Sequence, residues 1–343
     1  MALRKHPKVG HLIEARLLWK SSIEETRIQH FLSIAKVHNN KLAVPLMYAG
    51  AHTLRFSGLD KLNLQNLTRG SVLRDAIVAP SGHVIIAADL AQIEARLLAT
   101  LAGQNDLVKA FASGEDVYSM FASKLYNKPV TKDTAPRERF VGKTAILSLG
   151  YQSGAVKFHE AMTNYGVDIS EAEAKRVVDT YRRTYPRIVE LWSTMDMAIA
   201  AMSSGQKFRV GPITTAKDHL HLPNKMQLTY PKVHRRNDGQ WAYLGVLHSA
   251  GRIFKNLYGG KLTENVVQAL ARIVMTTAEL LLAKHILFAA LSVHDELVFV
   301  VKEEYAAKVA KAIKLAMEAT VPWMPNLPVE CEVNIGRTYK ECK

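Results

Sequence analysis

Three short segments carry residue types that can handle phosphate groups. They are Asp89-Leu90-Ala91-Gln92-Ile93-Glu94-Ala95-Arg96, the series Arg139, Lys143, Leu147 and Tyr151, and His294-Asp295-Glu296. Carboxylates suit Mg²⁺, and two metal ions about 3.5–4 Å apart can activate an attacking oxygen and stabilise a leaving one. Side chains four residues apart share a helix face, so two cations there can hold a triphosphate, and Lys143 can donate a proton to the leaving group. Together the segments predict a two-metal phosphoryl-transfer site.

Each segment alone has a simpler interpretation. Asp89 and Asp295 could be unrelated surface acids, and the cations of the second segment could be an exposed basic stripe above a buried aromatic ring. A phosphate-binding P-loop is excluded, because Gly142-Lys143-Thr144 has Arg137 where that pattern requires glycine. The prediction therefore depends on the fold bringing the three segments together.

The composition is that of an ordinary globular protein with a basic excess. Of its 343 residues, 48% are hydrophobic and 22% are charged, and the formal net charge is +14. This excess predicts a polyanionic partner, most often nucleic acid. Residues 205–260 concentrate it, with nine Lys or Arg against Asp218 and Asp238. That block indicates either a surface that follows phosphates or a solvated loop.

Cysteine usage and hydropathy predict a reducing compartment. Cys331 and Cys342, the two cysteines, make neither a disulfide framework nor a metal-ligand cluster. No apolar run is expected to reach the roughly 20 residues that span a bilayer, and the basic, amphipathic start is interpreted as a structural helix. The default prediction is a cytoplasmic protein without membrane attachment.

The predicted elements place acidic residues where strands end. Residues 83–88 read as an apolar strand that stops at Asp89. Residues 290–293 and 297–301 read as a hairpin whose polar turn is His294-Asp295-Glu296. If the two strands are neighbours, their carboxylates can share the metal ions.

Helices are predicted on both sides of this hairpin and between the segments. Residues 104–204 are mainly helical, including a helix over residues 137–151, and residues 261–282 form a long helix. Residues 205–259 hold short β-like runs, at 226–230 and 241–247. Strands that flank a largely helical insertion indicate an α+β fold.

The three segments resemble motifs A, B and C of the family A (DNA polymerase I-like) DNA polymerases, and bacteriophage members look most similar. The likeness runs from about His6 to Gly336 and includes residues 258–265. It implies a right-hand fold with a palm, made of an antiparallel sheet with helices, and mainly helical fingers. The implied divisions are 1–50, a thumb remnant; 51–105, palm with motif A; 106–225, fingers with motif B; and 226–343, palm with motif C and a basic β-rich insertion.

The resemblance implies a DNA polymerase that adds deoxyribonucleotides to a primer 3′-hydroxyl on a template, with two Mg²⁺ ions. Asp89, Asp295 and the Leu90 carbonyl would bind metal, and Glu296 would assist near the primer terminus. The implied nucleotide-binding residues are Arg139, Lys143, Leu147, Tyr151, Glu94, Gln92, Ile93 and Tyr118. The implied primer–template contacts are Arg55, Gln268, His294 and Arg69. Glu94 would be a steric gate against a ribose 2′-hydroxyl, hydrogen-bonded to Tyr151.

Some positions depart from the family pattern. Leu147 stands where the family often has an aromatic residue, and Ser148 and Gln152 replace frequent glycines. The family's exonuclease domain and most of its thumb would precede residue 1. Since no aspartate has a glutamate two residues later, no proofreading site is expected. A second chain is a possible source of the thumb and exonuclease, without which a weak grip on duplex is expected.

Two alternatives stay open at this point. A single-subunit RNA polymerase would share the metal aspartates, but such enzymes carry a small residue at the position of Glu94. A non-catalytic subunit that binds primer–template is the other alternative, although all the chemical residues are intact. Ribonucleotide incorporation and primer extension separate these alternatives from a DNA polymerase.

Overall fold

The structure is a computed structural model that describes residues 9–60, 62–67, 70–247 and 251–342. The helices are α1 (Gly10–Val37), α2 (Val72–Asp75), α3 (Ile93–Ala102), α4 (Asn105–Ala112), α5 (Val117–Tyr126), α6 (Pro136–Ser148), α7 (Ala155–Asn164), α8 (Glu171–Thr184), α9 (Pro186–Ser204), α10 (Gly259–Ala283) and α11 (Ala306–Met317). The strands are β1 (Leu46–Met47), β2 (Ser57–Gly58), β3 (His83–Leu90), β4 (Arg209–Val210), β5 (Ile213–Ala216), β6 (His219–His221), β7 (Gln227–Thr229), β8 (His234–Arg235), β9 (Trp241–Leu247), β10 (Gly251–Leu257), β11 (Leu291–Val293), β12 (Glu296–Lys302) and β13 (Cys331–Gly336). Arg69 lies outside the described residues.

A four-stranded antiparallel sheet, in the order β11-β12-β3-β13, forms the centre of the fold. Strand β3 is apolar on both faces because both are covered. Ile86 and Ala88 face the larger hydrophobic core with α3, α10 and α11, while Ile85 and Ala87 face a second core with Phe31 of α1. The strand that ends at Asp89, β3, and the hairpin strand that follows Asp295, β12, are therefore adjacent, as the sequence required for a shared site. The α+β fold class is confirmed.

Helices α3 to α9 continue the larger core on one side of the sheet. Close contacts join α5 to α6, and α9 to α10. Gly142 makes the first contact possible, because a Cβ there would lie 2.4 Å from the Tyr118 carbonyl oxygen. Gly259 does the same in the second, where a Cβ would lie 1.9 Å from the Trp192 carbonyl oxygen. The segment Gly142-Lys143-Thr144 is thus part of a packed helix, which agrees with the exclusion of a P-loop.

Helix α10 corrects one expectation from the sequence. Over an 18-residue window its mean hydropathy is 1.6, so length and composition alone would allow it to cross a membrane. Of that window, 61% is buried inside the protein, where Leu262, Val266 and Leu270 pack in the larger core. The length of this apolar stretch was underestimated from the sequence. Its burial explains its composition, because a helix packed inside a hydrophobic core can be apolar on most sides.

Two small antiparallel sheets lie between α9 and α10. One has the order β4-β5-β6-β7 and the other β10-β9-β8. The implied division between fingers and palm, at residues 225 and 226, falls between β6 and β7, which pair in one sheet through Leu220 and Leu228. Most of the nine cations of the basic block lie on the strands or tight turns of these two sheets.

The second segment is a shorter helix than predicted. Helix α6 ends at Ser148, whose hydroxyl donates to the Thr144 carbonyl at 2.6 Å, and a 3₁₀ turn covers Leu149–Tyr151. Gln152 follows with φ of 65°, in the left-handed region that favours glycine. The turn changes the direction of the chain, so Tyr151 does not continue the stripe of Arg139 and Lys143.

Candidate active site

The two aspartates of the first and third segments meet at one end of the central sheet. Asp89 is the penultimate residue of β3, and Asp295 lies in the two-residue turn between β11 and β12. The Leu90 N–H donates to the Asp295 carbonyl at 2.9 Å, which closes the turn against β3. His294 adopts a φ of 51°, an uncommon conformation for a residue with a side chain, and it allows the tight turn.

Burial and the nearby charge of Asp89 raise the pKa of Asp295 to about 6. The backbone N–H of Asp295 and the guanidinium of Arg55 act in the opposite direction, but they do not offset this repulsion. Two carboxylates held together at low solvent exposure are stabilised by a cation between or beside them. The electrostatics of the turn therefore favour a bound cation.

The donor set fits Mg²⁺ shared with a substrate. Within the described part of the chain, no three or more His, Cys, Asp or Glu side chains form a group that could hold a metal ion. The candidate donors are the Asp89 and Asp295 carboxylates, with the Leu90 carbonyl next in the chain. Mg²⁺ is commonly held in this way, by one or two carboxylates, with substrate phosphates and waters completing its oxygen ligands.

Glu296 is placed differently from what the resemblance implies. It lies directly opposite Asp89 in the sheet, but it is 1% exposed. Its negative charge helps to raise the pKa of Cys342, for which burial is the larger cause, so the carboxylate faces the second core. Glu296 is therefore a buried neighbour of Asp89, and its assistance near a primer terminus stays a prediction in which its carboxylate is not exposed to solvent.

A polar cavity of about 440 Å³ adjoins Asp89. Its walls come from the end of β3, the loop before α5, one face of α6 and the start of β13. It is lined by Asp89, Ala91, Gln92, Arg96, Gly114, Glu115, Asp116, Arg139, Lys143, Glu330 and Glu332. Asp89 and both cations of the second segment thus border the same space.

The two cations differ in how they are held. Lys143 is exposed on α6, whereas the Arg139 Nε donates to the Asp116 carboxylate at 2.6 Å. The Arg139 guanidinium also lies over the Tyr118 ring, 5.4 Å from its centroid. Burial raises the pKa of Asp116, but hydrogen bonds from Arg139 and Ser119 outweigh it and leave the pKa below its usual value. Arg139 is therefore oriented by an ionised carboxylate.

Asp116 itself is fixed by the start of α5. Its carboxylate accepts hydrogen bonds from the backbone N–H groups of Tyr118 and Ser119, as an N-cap does. Burial raises the pKa of the Tyr118 hydroxyl, and the Gln92 side chain hydrogen-bonds to it. Asp116 was missed from the sequence; the only signal was an acidic residue ahead of an apolar helix.

A second cluster surrounds Glu94. The Arg55 guanidinium donates to one Glu94 oxygen and the Tyr151 hydroxyl donates to the other at 3.2 Å. Burial, and then the charge of Glu94, raises the pKa of Tyr151 well above its usual value, so the hydroxyl remains a donor. Arg55 and Glu94 also act on the pKa of Asp295, which places the cluster beside the aspartates.

The other predicted residues are distributed around these two clusters. Leu147 is 42% exposed on the same α6 face as Lys143. Gln268 is half-buried on α10 and donates to Glu264 at 3.3 Å. Ile93 is a correction, because its side chain is 1% exposed and packs in the larger core instead of lining the cavity.

Arg96 is a buried cation that ties the cavity walls together. It is 3% exposed, forms an ion pair with Glu330, and donates to the carbonyls of Ala91 at 2.8 Å and Phe111 at 3.2 Å. Burial lowers the pKa of its guanidinium, and Glu330 partly offsets this. Sequence pattern alone gives no sign of this pairing, since Glu330 is far away in the chain.

Comparisons with known proteins identify the family. A family model of DNA polymerase family A matches residues 1–206, more than half of the chain. The chain therefore belongs to DNA polymerase family A, as the three segments predicted.

Individual relatives agree with this assignment, and a solved structure shares the fold. The chain is 27% identical over 288 residues to the DNA polymerase of Bacillus phage SP02, covering 79% of this chain and 43% of that protein. It is 26% identical to DNA polymerase I of Synechocystis sp., covering 98% of this chain and 33% of that protein. A structure titled as the POL domain of Pol1 from M. smegmatis in complex with DNA primer-template and dNTP matches with a TM-score of 0.68 at 22% identity, covering 98% of this chain and 54% of that one. The chain thus spans less than half the length of these two relatives.

Proposed function

We propose that this chain is a template-directed DNA polymerase that adds deoxyribonucleotides to a primer 3′-hydroxyl. The observation that carries the proposal is the joint position of Asp89, Asp295, Arg139 and Lys143. Asp89 and the cations on α6 line the same polar cavity, and the turn that carries Asp295 is hydrogen-bonded to the end of β3 beside Asp89. A deoxyribonucleoside triphosphate has the matching chemistry, because its phosphates need both divalent cations and fixed positive charges.

The metal residues in this proposal are Asp89, Asp295 and the Leu90 carbonyl. They would hold two Mg²⁺ ions, which when bound make the primer 3′-hydroxyl a better nucleophile and neutralise charge on the reacting phosphate. The sheet holds both carboxylates in place before substrate arrives, so little reorganisation is needed for reaction. Glu296, buried in the neighbouring strand directly beside Asp89, supports the position of that strand.

The nucleotide residues act through charge, contact and orientation. Arg139, fixed by Asp116, and Lys143 hold the triphosphate, and Lys143 is the candidate proton donor to pyrophosphate. Leu147 is exposed where it can contact the base or sugar. Gln92 and Tyr118, which are hydrogen-bonded to each other, support the wall beneath Arg139.

The primer–template is assigned to the side of the site that carries Arg55, His294 and Gln268. Arg55 and His294 lie next to Glu94 and Asp295, where a primer terminus must lie for its hydroxyl to reach the metals. Donors from these side chains can reach the minor-groove acceptors, which every base pair presents in similar positions. Arg69 is kept in this proposal on the resemblance alone.

The wider assignments are proposals of the same kind. We assign 1–50 to a thumb remnant, 51–105 and 226–343 to the palm, and 106–225 to the fingers. These 343 residues are proposed to hold no 3′-5′ exonuclease site, and a second chain is a candidate source of thumb or exonuclease. A cytoplasmic location in a bacterial host is also proposed, and the similarity to a phage protein supports it.

Primer extension tests the activity. The purified chain, Mg²⁺ and deoxyribonucleotides should extend a labelled primer, and Asp89→Ala and Asp295→Ala should each lower the rate by at least ~10³. Asp133→Ala, at an exposed aspartate before α6, is the matched control and should extend normally. Extension by either site variant at the wild-type rate would refute the metal assignment.

No extension by the wild type despite primer–template binding would favour a subunit that needs a partner. Degradation of a labelled single strand that disappears in an active-site variant would refute the absence of an exonuclease.

Sugar discrimination tests the position of Glu94. Because Arg55 and Tyr151 hold both of its oxygens, the carboxylate should occupy the space of a 2′-hydroxyl. Glu94→Ala should raise ribonucleotide incorporation relative to deoxyribonucleotide by roughly 10- to 100-fold in kcat/KM. A wild-type chain that uses both sugars equally would contradict the assignment and favour an RNA polymerase.

A further inference from the structure

The three-stranded sheet β8-β9-β10, here called the outer ribbon, has one face of unusual composition. Residues paired directly across antiparallel strands point to the same side, so the register defines the face. Phe254 lies opposite Leu244, Asn256 opposite Ala242, and His234 opposite Ala242 on the other edge. The outer face therefore carries His234, Arg236, Gln240, Arg252, Phe254 and Asn256.

This outer face is turned to solvent. Phe254 is 48% exposed, and Arg252 and His234 are also exposed. The His234 ring meets the Phe254 ring edge-on, with centroids 4.9 Å apart. Arg236 donates to the Asn256 side chain at 2.8 Å, so one cation is held beside the rings. Among the described residues of the ribbon the only carboxylate is Asp238, which accepts from the Gln240 N–H in the turn between β8 and β9.

Stability does not account for this arrangement. A strand at the edge of a sheet with an exposed aromatic ring offers an attachment point for other chains, and proteins usually avoid it. Strand β10 is the edge of the ribbon, and Ile253 on its other face is also 36% exposed. An aromatic ring among cations, with amide donors beside them, is instead the composition of a surface on which nucleic-acid bases stack.

The opposite face of the ribbon connects it to the active site. Tyr243, on that face, packs against Tyr230 with centroids 5.1 Å apart and against His52 at 5.7 Å. His52 is three residues before Arg55, which contacts Glu94. Strand β10 leads directly into α10, where the Gly260 N–H donates to the Gln152 side chain at 3.0 Å, just after Tyr151. The ribbon therefore emerges beside the junction of the 3₁₀ turn and α10.

We propose that the outer face of the ribbon binds the single-stranded template ahead of the primer terminus, by stacking bases on Phe254 and His234 and by pairing phosphates with Arg236 and Arg252. Binding of a single strand to the ribbon needs no catalysis. Only the identification of that strand as the template rests on the proposed function. A single strand fits better than a duplex, because its bases are free to stack on an exposed ring. Duplex DNA presents phosphates and groove edges, for which an exposed phenyl ring is of little use.

Fluorescence anisotropy on matched primer–templates tests the proposal. The DNAs share one duplex and differ only in the template 5′ overhang, either a single nucleotide or about 12 nucleotides. The readout is the ratio of the two Kd values, measured without nucleotide. The wild type should bind the long overhang roughly 5- to 50-fold more tightly, given what base stacking and phosphate contacts contribute. A ratio of one in the wild type would overturn the proposal.

Ribbon variants give the specific readout. Phe254→Leu and Arg252→Gln should each reduce the ratio several-fold and leave the Kd of the short-overhang DNA unchanged, whereas Phe254→Trp should preserve the ratio. Tyr305→Ala and Lys311→Gln, exposed positions at α11, are the matched controls. Thermal unfolding of each variant verifies folding. Equal loss of affinity for both DNAs, or retention of the ratio in Phe254→Leu and Arg252→Gln, would overturn the proposal. Asp295→Ala should keep the ratio even if it abolishes extension, which separates this proposal from the proposed activity.

Discussion

At the scale of single residues, the candidate site contains charges and a backbone conformation that lower the stability of the folded protein. Asp295 has a pKa raised to about 6 because it is buried beside Asp89. Its turn also requires His294 in the left-handed region, which a residue with a side chain occupies less favourably than glycine does. Such unfavourable features are expected where function needs them, since a pair of carboxylates without repulsion would hold cations less well.

Asp295→Asn should stabilise the metal-free protein. Near neutral pH the carboxyl is ionised in both the folded and the unfolded chain, and its raised pKa means that folding disfavours the charged form. Removing the charge should raise the Tm in EDTA by roughly 1–4 °C. Mg²⁺ should then raise the Tm of the wild type more than that of the variant, because only the wild type keeps both carboxylates.

Differential scanning calorimetry measures both effects, and Asp133→Asn serves as a control at an exposed aspartate. A variant that melts below the wild type in EDTA would show that the Asp295 carboxylate makes stabilising contacts that outweigh its repulsion with Asp89.

At the scale of elements, the function depends on how α5 and α6 are placed against each other. Helix α6 carries Arg139 and Lys143, and the start of α5 carries Asp116, which orients Arg139. The two helices approach closely at Gly142. The distance between these helices therefore sets the positions of Arg139 and Lys143, here called the cationic wall.

Gly142→Ala should disturb that wall. The added Cβ would lie 2.4 Å from the Tyr118 carbonyl oxygen and 3.0 Å from the Ala122 Cβ, and a backbone atom can give way only if the helix moves. Overpacking of this kind costs about 1–3 kcal/mol, less the gain of up to about 1 kcal/mol in helix propensity. The Tm should fall, and the KM for deoxyribonucleotides should rise more than kcat falls.

Gly154→Ala is the matched control, because an added Cβ there meets nothing within 4 Å and the backbone φ is −92°. Steady-state primer extension and thermal unfolding measure the comparison. Equal KM values in Gly142→Ala and the wild type would show that the packing of α5 does not orient Arg139.

The same scale shows what the sequence could and could not predict. Long or strongly apolar elements were predictable, such as β3, α10 and the hairpin around Asp295, because each has a clear period or a distinct polar turn. The strands β4 to β8 were mostly missed, since runs of two to four residues carry little periodicity.

Contacts between distant residues were also beyond the sequence. Arg139 and Asp116 are paired only because α5 packs on α6, and Arg96 meets Glu330 only through the register of β13. Glu296 looked like a site residue by its position beside Asp295. It lies on the same face of the sheet as its partner Asp89, but it is buried there against Tyr339 and Cys342.

At the scale of the whole molecule, the distribution of charge indicates which surface would hold DNA in the proposed function. Half of the net charge of +14 comes from residues 205–260, which include the two small sheets between α9 and α10 and project cations on short strands and turns. Cations that touch phosphates release counterions, so their contribution can be recognised by its dependence on salt. A solvated loop with the same cations would add charge without adding such contacts.

Duplex primer–template affinity should therefore fall steeply with salt, and part of the slope should come from the β4–β5 region. Replacing Lys207, Arg209 and Lys217 with glutamine should reduce the slope of log K against log salt by up to about 0.9 for each cation that contacts a phosphate. The matched control replaces Lys302, Lys308 and Lys311, exposed cations around α11, and removes the same net charge. If both triple variants change the slope equally, the effect is one of net charge, and the β4–β5 cations do not contact phosphates. If only the first changes it, by about 2 to 3, those cations follow the DNA backbone, and the basic block belongs to the binding surface.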